Sequence, residues 1–177
     1  MVTVSSAKDH AVFALVRLWC VLRYPRTYLR TARRSRHLPN PVTPIADTDK
    51  FLWRKIFDHN PLFTVLCDKL AAKDYACSAC PELKTAEVLW VGDDPDKIPA
   101  AVVSRDVVIK ANHGSRWNIM VREGKVDREA LRKRAHSWLN RRYGRAFCEW
   151  GYRNARRCLF VERMLLDDGI PIRMEYK

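Results

Sequence analysis

VIKANHGSRWNIMVREG, running from Val108 to Gly124, is the stretch whose reading decides the fold. It predicts a strand ending in Lys110, a short polar loop carrying Gly114 and Ser115, and a second, alternating strand over Trp117 to Arg122. A lysine at a strand end, followed by a small-residue loop, is one way to offer an ammonium group and several backbone N–H groups to the phosphates of a nucleotide. The lysine is a compact cation with three donors, and successive loop amides form an anion-binding concavity. A solvent-facing charge at the end of a hairpin explains Lys110 just as simply when these residues are read alone.

The neighbouring segments extend the pattern in both directions. Val107 opens the first strand, and Asp127 is placed to cap a helix through about Asn140, with Ala130, Leu131, Ala135, Trp138 and Leu139 on its apolar side. Cys158 to Leu166, CLFVERMLL, reads as a buried strand or strand-like turn, and Ile170 to Lys177 alternates as though another strand were beginning. Upstream, Ala86 to Val91 predicts a strand closed by Gly92-Asp93-Asp94-Pro95. Asn60-Pro61 predicts a capped helix start, with Leu62, Val65, Leu66, Leu70 and Tyr75 as its buried stripe. A helix precedes it over Asp49 to Asp58, and the three prolines between His37 and Asp49 mark a linker. The fold class is therefore mixed α/β (α+β): N-terminal helices, then strand, loop, strand, helix, strand.

With 177 residues, 47% of them hydrophobic, the chain can bury one full core or two small ones. Its formal net charge of +13 is unevenly spread. Residues 1–40 hold Lys8 and seven arginines against Asp9 alone, which suggests three parts: a basic N-terminal arm over 1–40, a helical and strand region over 41–100, and the strand-rich part over 101–177. Within the arm, Ala11 to Leu22 is apolar except for Arg17, too short and too charged to span a bilayer. With Trp19, Tyr24 and the arginines that follow, residues 11–36 suit an anionic membrane surface. A helix packed on the body, followed by a solvated basic linker, fits the same residues. Arg17 and the lack of a small-residue cleavage pattern argue against a signal peptide. No helix-turn-helix, zinc-finger or RNP-like pattern accompanies the arginines, so specific nucleic-acid binding is not expected.

Six cysteines are scattered at 20, 67, 77, 80, 148 and 158. Cys77-Ser-Ala-Cys80 has C-x-x-C spacing, but no second pair or histidine cluster completes a zinc site, and reduced thiols in a reducing compartment are the preferred reading.

Taken in order, Asp49-Lys50, Asn60-Pro61-Leu62-Phe63, Asp68-Lys69, VIKANHGS, Glu149-Trp150-Gly151-Tyr152 and FVERMLLDD resemble the TupA-like branch of the ATP-grasp superfamily, which is associated with bacterial cell-surface polysaccharide and teichuronopeptide synthesis. The resemblance covers about residues 49–177. It implies an ATP site in which Lys110 reaches the phosphates, Asn112, His113, Gly114 and Ser115 form the loop that closes over them, and Glu162 ends the hinge strand beside the adenine and ribose. Arg116-Trp117 stand where the family often has a second glycine. Mg²⁺ serves the family's carboxylate–amine ligase chemistry, but the carboxylates that would hold it are expected beyond the strand opened by Glu175-Tyr176-Lys177, and Asp167-Asp168 do not replace them.

The resemblance thus implies an ATP-binding protein of cell-surface polysaccharide synthesis, truncated before the metal-binding subdomain, of weak or no activity by itself, working in the cytoplasm at the inner face of the membrane. A basic adaptor for membrane or polyanion is the alternative, and a glycosyltransferase is another, although no D-x-D motif in a fitting setting supports it. Arg122 to Arg157 carries twelve basic and four acidic residues, suited to a glycan or sugar-phosphate acceptor or to a solvated helix face. Glu149, Trp150 and Tyr152 fit an acceptor glycan or, more simply, core packing.

Overall fold

The computed structural model describes residues 6–167 and 169–171, so Asp168 and the strand anticipated over 172–177, with Glu175, lie outside the described residues. The fold is mixed α/β. Among the described residues it has seven α-helices, a four-stranded antiparallel sheet and a two-stranded ribbon.

The opening stretch folds as the alternation predicts. Strands β2 (Val107–Ala111) and β3 (Asn118–Val121) form a hairpin in which Lys110 faces Asn118 and Val107 faces Val121. On its other side β2 pairs with β4 (Leu159–Arg163), and β4 pairs with β1 (Val88–Gly92), giving the order β1-β4-β2-β3. Successive side chains on a strand point to opposite faces. Val107 and Ile109 of β2, Val121 of β3 and Val161 of β4 therefore share one face, where they bury against Leu131 and Val103. Val108 and Lys110, opposite Glu162 and Phe160 of β4, share the other.

Helix α7 (Arg128–Leu139) closes the apolar face. Asp127 caps it by accepting a hydrogen bond from Ala130 N at 3.0 Å, and Leu131, Ala135 and Trp138, spaced by four and three residues, form the buried stripe. Ala130 lies on the exposed side, because the stripe needs only one residue per turn. Helix α6 (Ala100–Val103) follows a 3₁₀ turn at Pro95–Lys97 and contributes Val103 to the same core.

Three departures from the sequence reading have clear causes. The helix after Asn60-Pro61 is two helices, α4 (Leu62–Cys67) and α5 (Lys69–Ala79), broken at Asp68. The Asp68 carboxylate accepts from Ala71 N at 2.9 Å and from Arg156 N at 2.8 Å, and the residue is held extended to do so. Leu66 and Tyr75 are consequently exposed rather than part of a continuous stripe.

The apolar N-terminal run lies within α1 (Ala7–Arg23), and the basic segment after it is also helical, α2 (Pro25–Ser35). Pro25, which has no N–H to donate to a preceding turn, ends the first helix and starts the second. Cys20 of α1 and Tyr28 of α2 bury against Leu52 and Ile56 of α3 (Asp47–Ile56), so the arm shares a core with the body. Full burial of side chains such as Leu52 and Ile56 contributes about 2 kcal/mol each.

The proline-rich segment between α2 and α3 is tied down. The Tyr28 hydroxyl donates to Pro39 O, and the Asp49 carboxylate meets both His37 Nε2 at 2.9 Å and Asn40 N at 3.2 Å. Prolines shorten the entropy lost in fixing such a segment, so a linker composition is compatible with a fixed path. Of the strand or strand-like turn expected over Cys158 to Leu166, Leu159–Arg163 is the sheet strand β4, and Leu166–Asp167 (β5) pairs with Ile170–Pro171 (β6).

Candidate functional site

On the sheet face opposite α7, Lys110 and Glu162 form an ion pair diagonally across the β2–β4 ladder. Glu162 is only 5% exposed, whereas the Lys110 side chain remains 28% exposed. Lys73 of α5 approaches the second carboxylate oxygen at 2.8 Å and donates to Ala86 O at 2.7 Å. That carboxylate oxygen has no hydrogen bond of good geometry, so the contact with Lys73 is one of charge. One buried carboxylate thus serves two ammonium groups.

A third lysine sits close by. Lys69 Nζ donates to Ala111 O at 2.6 Å, to Asn112 O at 3.1 Å and to Gly114 O, gathering the carbonyls of the loop after Lys110 around one ammonium. Burial, and then the neighbouring Lys110 charge, brings the Lys69 pKa down to about 8. Asn112 is fully buried and committed at both ends of its amide: Oδ1 accepts from Leu70 N at 2.9 Å and Nδ2 donates to Arg156 O at 2.9 Å. Asp68, Lys69 and Asn112 together fasten the start of α5 to the end of β2.

The loop residues divide in what they do. Gly114 packs beneath Trp117, where an added Cβ would lie 2.4 Å from the indole Cε3. Trp117 is itself stacked parallel to Trp138 and packs, partly buried, against the core. Ser115 is half-buried next to Arg116, whose φ of 62° turns the chain into β3. His113 is 2% exposed, and its Nε2 donates to Trp138 O at 3.0 Å. Burial lowers its pKa, with the Arg157 charge acting in the same direction, so the ring is neutral at pH 7 with a lone pair on Nδ1.

No family model, curated protein or solved structure matches the chain.

The structure brings Lys110 and Glu162 together across the antiparallel strands β2 and β4, a pairing that the sequence reading did not propose. It turns Asn112 and His113 inward, away from a shared cluster with Lys110. The sequence reading did not single out Lys69 or Lys73 as partners of that cluster. Their spacing of four residues was the available signal, since it puts both on one face of a helix. Among the described residues no three His, Cys, Asp or Glu side chains converge as metal ligands would. All six thiols are free, and burial raises the pKa of Cys20, Cys67 and Cys158.

Glu149, Trp150 and Tyr152 serve packing and pairing. Glu149 meets Lys55 at 3.2 Å, Trp150 stands edge-on to Phe63, and Tyr152 packs against Tyr143 with ring centroids 4.7 Å apart. Gly151 allows Phe63 O and the Cys67 sulfur to come within 3 Å of where a Cβ would stand.

Proposed function

We propose that the sheet face carrying Lys110 and Glu162 binds the phosphates of ATP, and that the chain is an ATP-grasp-like protein of bacterial cell-surface polysaccharide synthesis related to carboxylate–amine ligases. The observation that carries this reading is the charge around Glu162. Lys69, Lys73 and Lys110 surround it, and with Asp68 as the other nearby carboxylate one positive charge remains unbalanced. A partly exposed ammonium with surplus charge behind it favours an anion, and phosphate is the anion to which a strand-end lysine is suited. Within this reading Lys110 holds the phosphates, Glu162 orients Lys110, and Lys69 fixes the loop beside it. No step is assigned to Mg²⁺. ATP should raise the thermal midpoint of the protein, and Lys110→Met should remove that increase without altering the fold.

A second reading concerns the arm and does not compete with the first. Val12, Leu15, Leu18, Trp19 and Leu22 of α1 are exposed at the spacing of a helical stripe, and Leu29 of α2 is exposed beside Arg26, Arg30, Arg33 and Arg34. Among the described residues no helix is long and apolar enough to cross a membrane. An exposed apolar stripe bordered by arginines suits peripheral attachment to an anionic bilayer, in keeping with a place at the inner face of the cell membrane. Cosedimentation with phosphatidylglycerol vesicles should be lost on Leu15→Glu/Leu22→Glu; retention would reject this attachment.

A further inference from the structure

Away from the lysine cluster, a run of unpaired arginines faces two adjoining cavities. The inner cavity, of about 430 Å³, is lined by His113, Arg142, Arg145, Arg153 and Arg157 together with Tyr143 and Tyr152. The outer one, of about 1070 Å³, shares Arg142, Arg145 and Arg153 and adds Arg23 and Arg26 from the α1–α2 elbow. Among the described residues none of these six arginines pairs with a carboxylate. Glu149, the acid of the same segment, is engaged by Lys55 at 3.2 Å. Like charges gathered in a concavity raise the local positive potential and favour a bound anion.

Two further features narrow the class of anion. Tyr143 and Tyr152 line the inner cavity and Trp150 the outer one, which places aromatic rings beside the guanidinium groups. His113 also lines the inner cavity, 2% exposed, and its Nδ1 has no hydrogen-bond partner. With Nε2 donating to Trp138 O, the Nδ1 lone pair is open to a donor. Phosphate satisfies guanidinium groups in a bidentate manner, aromatic faces accept sugar rings, and a sugar hydroxyl supplies the donor.

We infer that this arginine cleft binds a glycosyl phosphate. The ligand's phosphate lies among Arg142, Arg145 and Arg153, and its sugar lies toward His113 and Tyr152. The cleft shares no lining residue with the Lys110–Glu162 pair, and the inference does not depend on the nucleotide reading. The side chains of Arg142 and Arg153 are exposed, so both can be shortened without opening the core.

The test is calorimetric titration of the full chain with glucose 1-phosphate, and cosedimentation with phosphatidylcholine vesicles containing a polyprenyl phosphoglucose. Saturable binding in either arm, weakened by roughly tenfold or more in Arg142→Ala/Arg153→Ala and unchanged in Lys110→Met, is the result expected. Binding in the soluble arm identifies a free sugar phosphate, and binding in the vesicle arm alone identifies a lipid-linked one. Absence of binding in both arms, binding only to phosphatidylglycerol vesicles without a sugar phosphate, or binding unaffected by the double substitution would overturn the inference. Loss of ATP binding in Lys110→Met leaves this outcome untouched, so the two sites are judged independently.

Discussion

Lys69, at the first turn of α5, donates a hydrogen bond to the backbone oxygen of Ala111 at the end of β2, 2.6 Å away. This contact joins a helix to the strand that carries Lys110, and the same ammonium also holds the carbonyls of Asn112 and Gly114. The position of the loop after Lys110 therefore depends on a side chain more than forty residues earlier in the chain.

Lys69→Met should lower stability by about 1–3 kcal/mol, because buried carbonyls lose their donor. The pH dependence gives a second readout. With a folded pKa of about 8, Lys69 has lost its proton between there and the ordinary lysine value of about 10.4, while the unfolded chain keeps it. Stability should therefore gain a rising one-proton component across that window, and the component should be missing in Lys69→Met. Denaturant unfolding at a series of pH values measures both effects.

Glu162→Gln should destabilise more than Lys110→Met, because the carboxylate faces two lysines and Lys110 faces one carboxylate. A double-mutant cycle between the two positions should give a coupling on the order of 1–3 kcal/mol. Equal single-substitution effects with no coupling would show that the pair does not act as a unit.

Gly114→Ala should cost about 1–3 kcal/mol through overpacking, since the new methyl group must displace an indole already stacked on Trp138. Altered tryptophan fluorescence together with a lower thermal midpoint would report that displacement. An unchanged midpoint would mean that Trp117 moves freely.

The fold was legible where one physical signal dominated. Apolar alternation located β2 and β3, and Asp127 with the Leu131, Ala135 and Trp138 spacing located α7. The break at Asp68 was not legible, because it depends in part on Arg156, whose N–H donates to the second carboxylate oxygen from far along the chain. The meeting of Lys110 and Glu162 could not be anticipated, because it rests on the antiparallel pairing of β2 with β4, strands far apart in the chain. The inward turn of Asn112 and His113 could not either, since it depends on Leu70 N, Arg156 O and Trp138 O. Proline content suggested a linker over 37–49, whereas Asp49 ties that segment down through His37 and Asn40.

The His37–Asp49 contact makes its own prediction. The Asp49 hydrogen bond holds the His37 pKa above 6.5, so the stabilisation is present below that unfolded value and is lost as pH rises through the raised folded value. An NMR titration should show the His37 pKa falling back toward 6.5 in Asp49→Asn. No change would mean that the contact is not populated in solution.

The most direct test of the phosphate-binding face is calorimetric titration of ATP with Mg²⁺ into the full chain and into Lys110→Met. Saturable binding to the natural sequence, and binding weaker by roughly tenfold or more in the variant with both preparations folded at the titration temperature, is the result expected. Absence of binding at millimolar ATP, or equal affinity in the two proteins, would contradict it.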